Sequence, residues 1–173
     1  MKEFSLGTKF KRARRKFFSF VGQYPGLALP LIRLYPKWYQ SVIKKDTELV
    51  IEGFPRSANT FSVLAFKQAQ KNPVNLAHHL HMPFQIKTAV KRNVPTLVLI
   101  RKPQDAIASW RVMAPHLTFK QLLKDYIRFY KNIEPLAAKF VIASFDEITT
   151  DFGNVIKRVN DFYGTSFDVF IHN

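Results

Sequence analysis

A short loop rich in hydrogen-bond donors connects an apolar stretch of the chain to a stretch with helical spacing of apolar residues. The loop reads Gly53-Phe54-Pro55-Arg56-Ser57-Ala58-Asn59-Thr60. A loop that enters a helix directs backbone N–H groups and the positive helix end at one point, which suits a phosphate or a sulfate. Arg56 would add a charge, and Ser57, Asn59 and Thr60 would add side-chain donors. An ordinary turn capped by Asn or Ser has the same composition, so the loop alone leaves both interpretations open.

The loop differs from the glycine-rich loop of kinases and GTPases. That loop reads G-x-x-x-x-G-K-[ST], and its lysine reaches the phosphates. Here Ala58 and Asn59 stand where the second glycine and the lysine would be. No aspartate suited to Mg²⁺ follows a predicted strand either. A kinase-like nucleotide enzyme is therefore an alternative that the residues disfavour.

A second set of anion-binding residue types follows the apolar run at 96–100. The segment reads Arg101-Lys102-Pro103-Gln104-Asp105-Ala106-Ile107-Ala108-Ser109. Arg101 would lie at the carboxyl end of a strand, where open α/β sheets bind ligands. Ser109 would lie about two turns into the next helix and would share an anion with Arg101. Taken alone, an Arg at the edge of the core and an unrelated helical Ser explain this segment better.

Three histidines lie between these two segments, at His78, His79 and His81. If an extended strand reaches this far, His79 and His81 point to one face and His78 to the other. A histidine suits a general base because its ordinary pKa of about 6.5 lies near neutrality. A zinc site is an alternative, but the chain has no Cys and the spacing is not that of a usual closed site. Surface or core histidines without a chemical role are a further alternative.

The pattern of apolar residues predicts the elements that would hold these segments together. Predicted strands cover 48–53, 74–80, 96–100 and 140–144, and predicted helices cover 59–71, 83–92, 103–113, 118–133 and 146–163. Pro103 favours a helix start and Gly164 a helix stop. The continuous apolar run at 96–100 predicts a central parallel strand covered on both faces. Strands that alternate with helices imply an α/β fold with a mainly parallel sheet flanked by helices.

The charge of the chain is concentrated at its N-terminus. The 173 residues carry a formal net charge of +15 and no cysteine, which fits a cytoplasmic, reducing compartment. Eleven of the 27 Lys and Arg residues precede Asp46, against one acidic residue, Glu3. We therefore predict a basic, aromatic arm over 1–45 and an α/β domain over 46–173. Such a charge indicates anionic partners, among them nucleotides, nucleic acid and acidic membrane surfaces.

No stretch of the arm reaches the roughly 20 apolar residues that a spanning helix needs. Its basic cluster consists of Lys9, Lys11, Arg12, Arg14, Arg15 and Lys16, and Phe17, Phe18 and Phe20 follow. Peripheral contact with an anionic membrane is one interpretation. A solvated arm whose aromatic residues cover part of the domain is the other, and the pattern favours it.

The two anion-binding segments together resemble the PAPS-dependent sulfotransferases of prokaryotic type. "GFPRSANTF" resembles the family's 5′-phosphosulfate loop, with matches at Pro55, Arg56, Ser57, Thr60 and Phe61. Ala58 stands where Gly is commoner and Asn59 where Thr is commoner. Arg101, Pro103 and Ser109 resemble the 3′-phosphate motif, in which the Ser comes eight residues after the Arg. "FDEI" at 145–148 resembles the Tyr-Glu-Asp-Leu that often follows a late strand.

The resemblance implies a three-layer, P-loop-like fold and a reaction. The enzyme would move a sulfuryl group from PAPS, 3′-phosphoadenosine 5′-phosphosulfate, to a hydroxyl or an amine by in-line displacement, with no metal required. The cofactor-binding residues would be Pro55, Arg56, Ser57, Ala58, Asn59, Thr60, Phe61, Arg101 and Ser109. Arg56 would stabilise charge at the leaving oxygen. His81-Met82-Pro83 and His79-Leu80 resemble the His-Leu-Pro context of the family's catalytic base, with His81 favoured over His79. Other branches use a Glu as base, for which Glu52 is the nearest candidate.

The resemblance covers about residues 48–167, and many relatives continue further. We therefore expect a C-terminally short domain that lacks the late Gly-rich, Lys-containing segment of cytosolic members. The acceptor would be a small molecule or a carbohydrate, and nucleic acid is disfavoured as a partner. A degenerate nucleotide- or anion-binding module without catalysis is the remaining alternative.

Overall fold

A computed structural model describes residues 6–172, apart from the side chain of Lys37. Its sheet consists of four strands, β1 (Leu49–Gly53), β2 (Leu76–His78), β3 (Thr96–Ile100) and β4 (Val141–Ser144). The strand order is β2-β1-β3-β4 and every pair is parallel. The predicted α/β fold with a parallel sheet is therefore confirmed, and β3 lies inside the sheet as its apolar run indicates.

Helices connect the strands and cover both faces of the sheet. The helices are α1 (Leu6–Val21), α2 (Pro25–Arg33), α3 (Pro36–Tyr39), α4 (Asn59–Ala69), α5 (Pro83–Lys91), α6 (Pro103–Met113), α7 (Phe119–Ile133), α8 (Phe145–Thr150) and α9 (Phe152–Tyr163), with a 3₁₀ helix at Glu134–Lys139. Because side chains alternate along a strand, Leu97 and Leu99 pack in one core cluster with α4 and α9. Val98 packs in another with α6 and α7. The sheet is the middle layer between helices.

Most predicted elements agree with the structure to within one or two residues, and two differ. The predicted helix over 146–163 is two helices, because Asp151 caps α9 by accepting from the N–H of Asn154 at 3.1 Å. The predicted strand over 74–80 is also too long, since β2 ends at His78. Ser144 and Glu147 form a capping box that starts α8 directly after β4.

Residues 6–43 pack against the rest of the chain. Phe18 and Ile32 are buried in a core cluster that also contains Val50 of β1. The N–H of Phe84 donates to the carbonyl of Gly22 at 2.9 Å. These contacts place α1 and α2 beside β1 and α5. The division of the chain at residue 45 stays a prediction.

No helix within residues 6–172 is long and apolar enough to cross a membrane.

Candidate functional site

The loop between β1 and α4 has an unusual backbone, because two of its non-glycine residues have positive φ angles. Arg56 has φ 72° and Ala58, the residue before α4, has φ 66°. Both lie in the left-handed region, which costs an L-residue about 1–2 kcal/mol and which glycine enters freely. A glycine at the position of Ala58 would adopt this conformation with less strain.

Inside the loop, side chains hold the turn rather than face solvent. The amide of Asn59 donates to the carbonyl of Phe54 at 3.0 Å. One of the two amide donors of Asn59 is thus used within the loop, and its predicted role as a donor to an anion stays a prediction. Oγ of Ser57 is buried and has no partner among residues 6–172. A buried hydroxyl in that state lacks a hydrogen bond that a ligand oxygen can provide.

Arg56 connects the loop to the second predicted segment. Its Nε donates to Oγ of Ser109 on α6 at 2.9 Å. Nη1 of Arg101 donates to the backbone carbonyl of Arg56 at 3.1 Å. The predicted pairing of Arg101 with Ser109 is thus organised through Arg56, which touches both. The two segments form one cluster although 45 residues separate Arg56 from Arg101 along the chain.

Arg101 is held by aromatic residues that sequence patterns do not reveal. Its guanidinium lies 3.9 Å from the ring centroid of Phe145, a cation–π contact. Its carbonyl accepts from the hydroxyl of Tyr126 at 2.7 Å. The Nε of Arg101 is buried and has no partner among the described residues. The guanidinium is therefore fixed in place with one donor still available.

A cleft of about 380 Å³, which we call the phosphate-loop cleft, brings these residues together. Its lining consists of Pro55, Arg56, Ala58, Asn59, Thr60, Phe61, His79, His81, Arg101, Trp110, Met113 and Phe145. Seven of the predicted cofactor-binding residues and both predicted bases, His79 and His81, contribute to one surface, and no acidic side chain of the described residues lines it. Ser57 lies buried behind the loop, and Ser109 joins through Arg56.

A turn after β2, and not the alternation of side chains along a strand, places His79 and His81 in the cleft. His79 and His81 have φ 59° and 55°, so the backbone leaves the extended conformation directly after β2. The argument from an extended strand is therefore wrong, although both rings do line the same cleft. Their centroids lie 5.9 Å apart. His78 does not line the cleft; its Nδ1 lies 2.8 Å from Nδ1 of His79.

The hydrogen bonds of His81 define its tautomer. Nδ1 lies 2.8 Å from the carbonyl of Gly53, and because a carbonyl can only accept, Nδ1 carries the proton. Nε2 then holds a lone pair, and no residue of 6–172 is its partner. His79 differs, since its Nε2 lies 3.1 Å from Oγ1 of Thr60 and its Nδ1 is engaged by His78. Of the two rings, His81 has the nitrogen that is available to take a proton.

Burial keeps these rings neutral. It lowers the pKa of His81 to about 4, and the carbonyl of Gly53 offsets part of that change. The pKa of His79 is also lowered, first by burial and then by the charge of Lys67. A neutral imidazole is the form that accepts a proton.

Glu52 lies behind His81 and not in the cleft. It is fully buried in β1, where one oxygen accepts from the N–H of Leu80 at 2.7 Å and the other from the N–H of His81 at 3.0 Å. The amide of Gln85 donates to it at 2.9 Å. Glu52 therefore fixes the turn that carries His81. Its carboxyl is not placed to meet a substrate as a base.

We expect the free energy of unfolding to fall between pH 6.5 and 8 because of Glu52. Burial raises its pKa to about 8, so the folded protein keeps a proton that the unfolded chain releases near 4.5. The slope is at most about 1.4 kcal/mol per pH unit, the value for one proton. Below pH 6.5 the lowered pKa values of His78 and His81 act in the opposite direction. Urea unfolding at four pH values measures the slope.

The matched variants for this measurement are Glu52→Gln and Glu134→Gln. Gln at 52 keeps an acceptor oxygen but cannot ionise, so the decline above pH 6.5 should disappear. Glu134 is exposed on the 3₁₀ helix, so its variant should retain the decline. A wild-type profile that is flat between pH 6.5 and 8 would contradict this assignment.

The structure adds residues that sequence reasoning did not select. Trp110 lines the cleft and packs edge-on against Phe54, with centroids 5.0 Å apart. The hydroxyl of Tyr130 donates to the carbonyl of Leu99 at 2.8 Å and so ties α7 to the end of β3. Phe145 also lines the cleft, whereas the sequence indicates it only as the first residue of the FDEI segment. The amphipathic pattern of α7 does not indicate which of its aromatic residues meet the strand ends.

Across residues 6–172, no group of three or more His, Cys, Asp or Glu side chains is close enough to hold a metal ion.

Comparisons with known proteins bear on the fold. No family model matches the chain, and no curated protein matches its sequence. Among solved structures, the crystal structure of mouse sulfotransferase SULT7A1 complexed with PAP is similar, with a TM-score of 0.50 and 13% sequence identity. The match covers 78% of this chain and 63% of that chain, so this chain spans less than two thirds of the mouse protein. At that identity the similarity is one of fold, and the fold of this chain is sulfotransferase-like.

Proposed function

We propose that this protein transfers a sulfuryl group from PAPS to a hydroxyl or an amine of an acceptor. The observation that carries the proposal is the phosphate-loop cleft, in which the loop, Arg101 and His81 meet. Each segment taken alone has an ordinary structural explanation. Their convergence on one basic surface, within a sulfotransferase-like fold, is what an unrelated α/β protein would not be expected to have.

The polar atoms of the cleft fit a ligand with phosphate groups. Oγ of Ser57 and Nε of Arg101 are buried donors that have no partner within residues 6–172, and a buried donor left unsatisfied costs about 1–3 kcal/mol. A phosphate oxygen near each would remove that cost. Arg56 is exposed at the mouth of the loop, where Oγ of Ser109 accepts from its Nε, and it supplies a positive charge beside them. The two donors belong to two segments, the loop between β1 and α4 and the turn between β3 and α6.

The residues of the chain divide the chemistry between them. PAPS would supply the sulfuryl group, whose bond to the 5′-phosphate oxygen breaks with the electron pair left on that oxygen. Arg56, Ser57 and the loop N–H groups would hold the 5′-phosphate and stabilise the charge that develops there. Arg101 and Ser109 would hold the 3′-phosphate. Nε2 of His81 would take the proton of the acceptor hydroxyl, as its tautomer permits.

The proposal is tested by following PAPS in the presence of a panel of phenols, glycosides and amines. We expect protein-dependent formation of 3′,5′-ADP together with a sulfated product, both detected by mass spectrometry. The control is the double variant Arg56→Ala/Arg101→Ala, which should form neither product while it retains its fold by circular dichroism. Binding of 3′,5′-ADP without transfer to any member of the panel would favour the non-catalytic module instead.

A further inference from the structure

A second cleft of about 410 Å³ adjoins the phosphate-loop cleft and shares His79 and His81 with it. We call it the basic cleft. It is lined on its other sides by Lys11 and Arg14 of α1, by Trp38 of α3 and by His116. The ring of His81 is therefore open to two spaces at once. Its side chain retains 22% exposure, which is enough for contact with a ligand.

Positive charge accumulates in the basic cleft. Lys11 and Arg14 are exposed, and no ion pair of residues 6–172 involves either of them. The neighbouring Arg15 is different, because its Nε lies 3.1 Å from the buried carboxylate of Asp125. No acidic side chain lines the cleft within the described part of the chain. Two cations on one face of α1 are thus left to attract an anion.

The positive charges around the basic cleft also act on His116. Its pKa is lowered first by burial and then by the charges of Lys11, Arg12 and Arg111. The charges act together on one space because α1 lies against the segment after α6. Arg12 donates to the carbonyl of His116, which fixes that approach.

The floor of the basic cleft is aromatic. Phe18 is buried there, and Trp38 packs edge-on against it with centroids 4.8 Å apart. The guanidinium of Arg14 lies 5.7 Å from the centroid of Phe18. A flat apolar face, such as that of a sugar ring or an aromatic ring, can pack on this floor while its charged groups meet the cations.

We propose that the basic cleft binds the sulfuryl acceptor, and that the acceptor is a hydroxyl compound with a carboxylate and a flat ring face, of the uronic acid type. This inference rests on the proposed function. The acceptor hydroxyl would meet Nε2 of His81 from the basic cleft and give up its proton there. Its oxygen would form the new bond to sulfur on the side of the phosphate-loop cleft. The helix α1 is then a specificity element of the enzyme.

The test uses two probes that differ in one group, 4-nitrophenyl β-D-glucuronide and 4-nitrophenyl β-D-glucoside. Calorimetric titrations are made with the full chain, with and without saturating 3′,5′-ADP. We expect the glucuronide to bind at least about tenfold more tightly than the glucoside, because the contacts to Lys11 and Arg14 are charge-assisted. Raising the salt concentration should reduce that preference.

The matched variants lie on one helix and remove the same charge. Lys11→Gln/Arg14→Gln should abolish the preference for the glucuronide. Lys9→Gln/Lys16→Gln, at exposed positions that do not line the basic cleft, should keep it. Equal binding of the two probes by the wild type, or equal loss in both variants, overturns the inference. A failure of 3′,5′-ADP to bind is a separate result, which refutes the proposed function and is read from the same titrations.

Discussion

Replacement of His81 by Ala is expected to reduce turnover by about 10²–10⁴-fold, the usual effect of losing a general base. Its Nδ1 is held by the carbonyl of Gly53, so Nε2 is the atom left to take the proton. The affinity for 3′,5′-ADP should change little, because the base would contact the acceptor. Turnover is measured as release of 3′,5′-ADP from PAPS with 4-nitrophenyl β-D-glucuronide as acceptor.

The pH profile adds a second readout to the His81→Ala variant. In the wild type, turnover should fall as the pH drops through a pKa below the ordinary value of 6.5, because protonation removes the base. The variant should lose that acidic limb. His78→Ala is the matched control and should retain most activity, since His78 lies outside the cleft. A severe defect in His79→Ala with an active His81→Ala would move the role to His79.

Replacement of Arg101 by Ala is expected to weaken binding of 3′,5′-ADP by roughly 10- to 100-fold, the range for a charge-assisted contact to phosphate. Binding of 5′-AMP, which lacks the 3′-phosphate, should weaken much less. Calorimetric titration of the two nucleotides gives both values. The guanidinium is already fixed over Phe145, so little ordering is needed when a phosphate arrives.

Lys102→Ala is the matched control for Arg101. It removes the same charge at the next position, which is exposed and does not line the phosphate-loop cleft. Both nucleotides should bind this variant almost as they bind the wild type. Equal losses for 3′,5′-ADP and 5′-AMP in Arg101→Ala would show that the arginine supports the loop through the carbonyl of Arg56 and does not select the 3′-phosphate.

The sheet and its helices follow closely from the sequence. Continuous apolar runs at 96–100 and 140–144 predict β3 and β4, and for β3 the reason is that a strand covered on both faces has no polar side. Pro103 begins α6 and Gly164 ends α9, as their local backbone preferences predict. Periodicity fails where a cap interrupts it, as at Asp151 between α8 and α9, and it also predicts β2 longer than it is.

The site is less predictable, because its geometry depends on contacts far apart in sequence. Motif spacing selects Arg56, Arg101 and Ser109, but the link through Arg56 requires the folded loop. The left-handed backbone at His79 and His81 has no local signal, since neither residue is a glycine. The position of α1 is fixed by buried contacts such as that of Phe18, which a count of charges does not reveal. The net positive charge of the sequence indicates an anionic ligand, but only the fold shows which residues surround the cleft that would bind it.

The most direct test of the proposed function is a calorimetric titration of the full chain with 3′,5′-ADP and, separately, with ATP and Mg²⁺. We predict that 3′,5′-ADP binds at one site per chain and more tightly than ATP–Mg²⁺, because we assign Arg101 and Ser109 to the 3′-phosphate under the proposed function. Tighter binding of ATP–Mg²⁺ would instead indicate a kinase-like nucleotide enzyme. Binding of neither nucleotide would contradict the assignment of the cleft to PAPS and leave a module without catalysis.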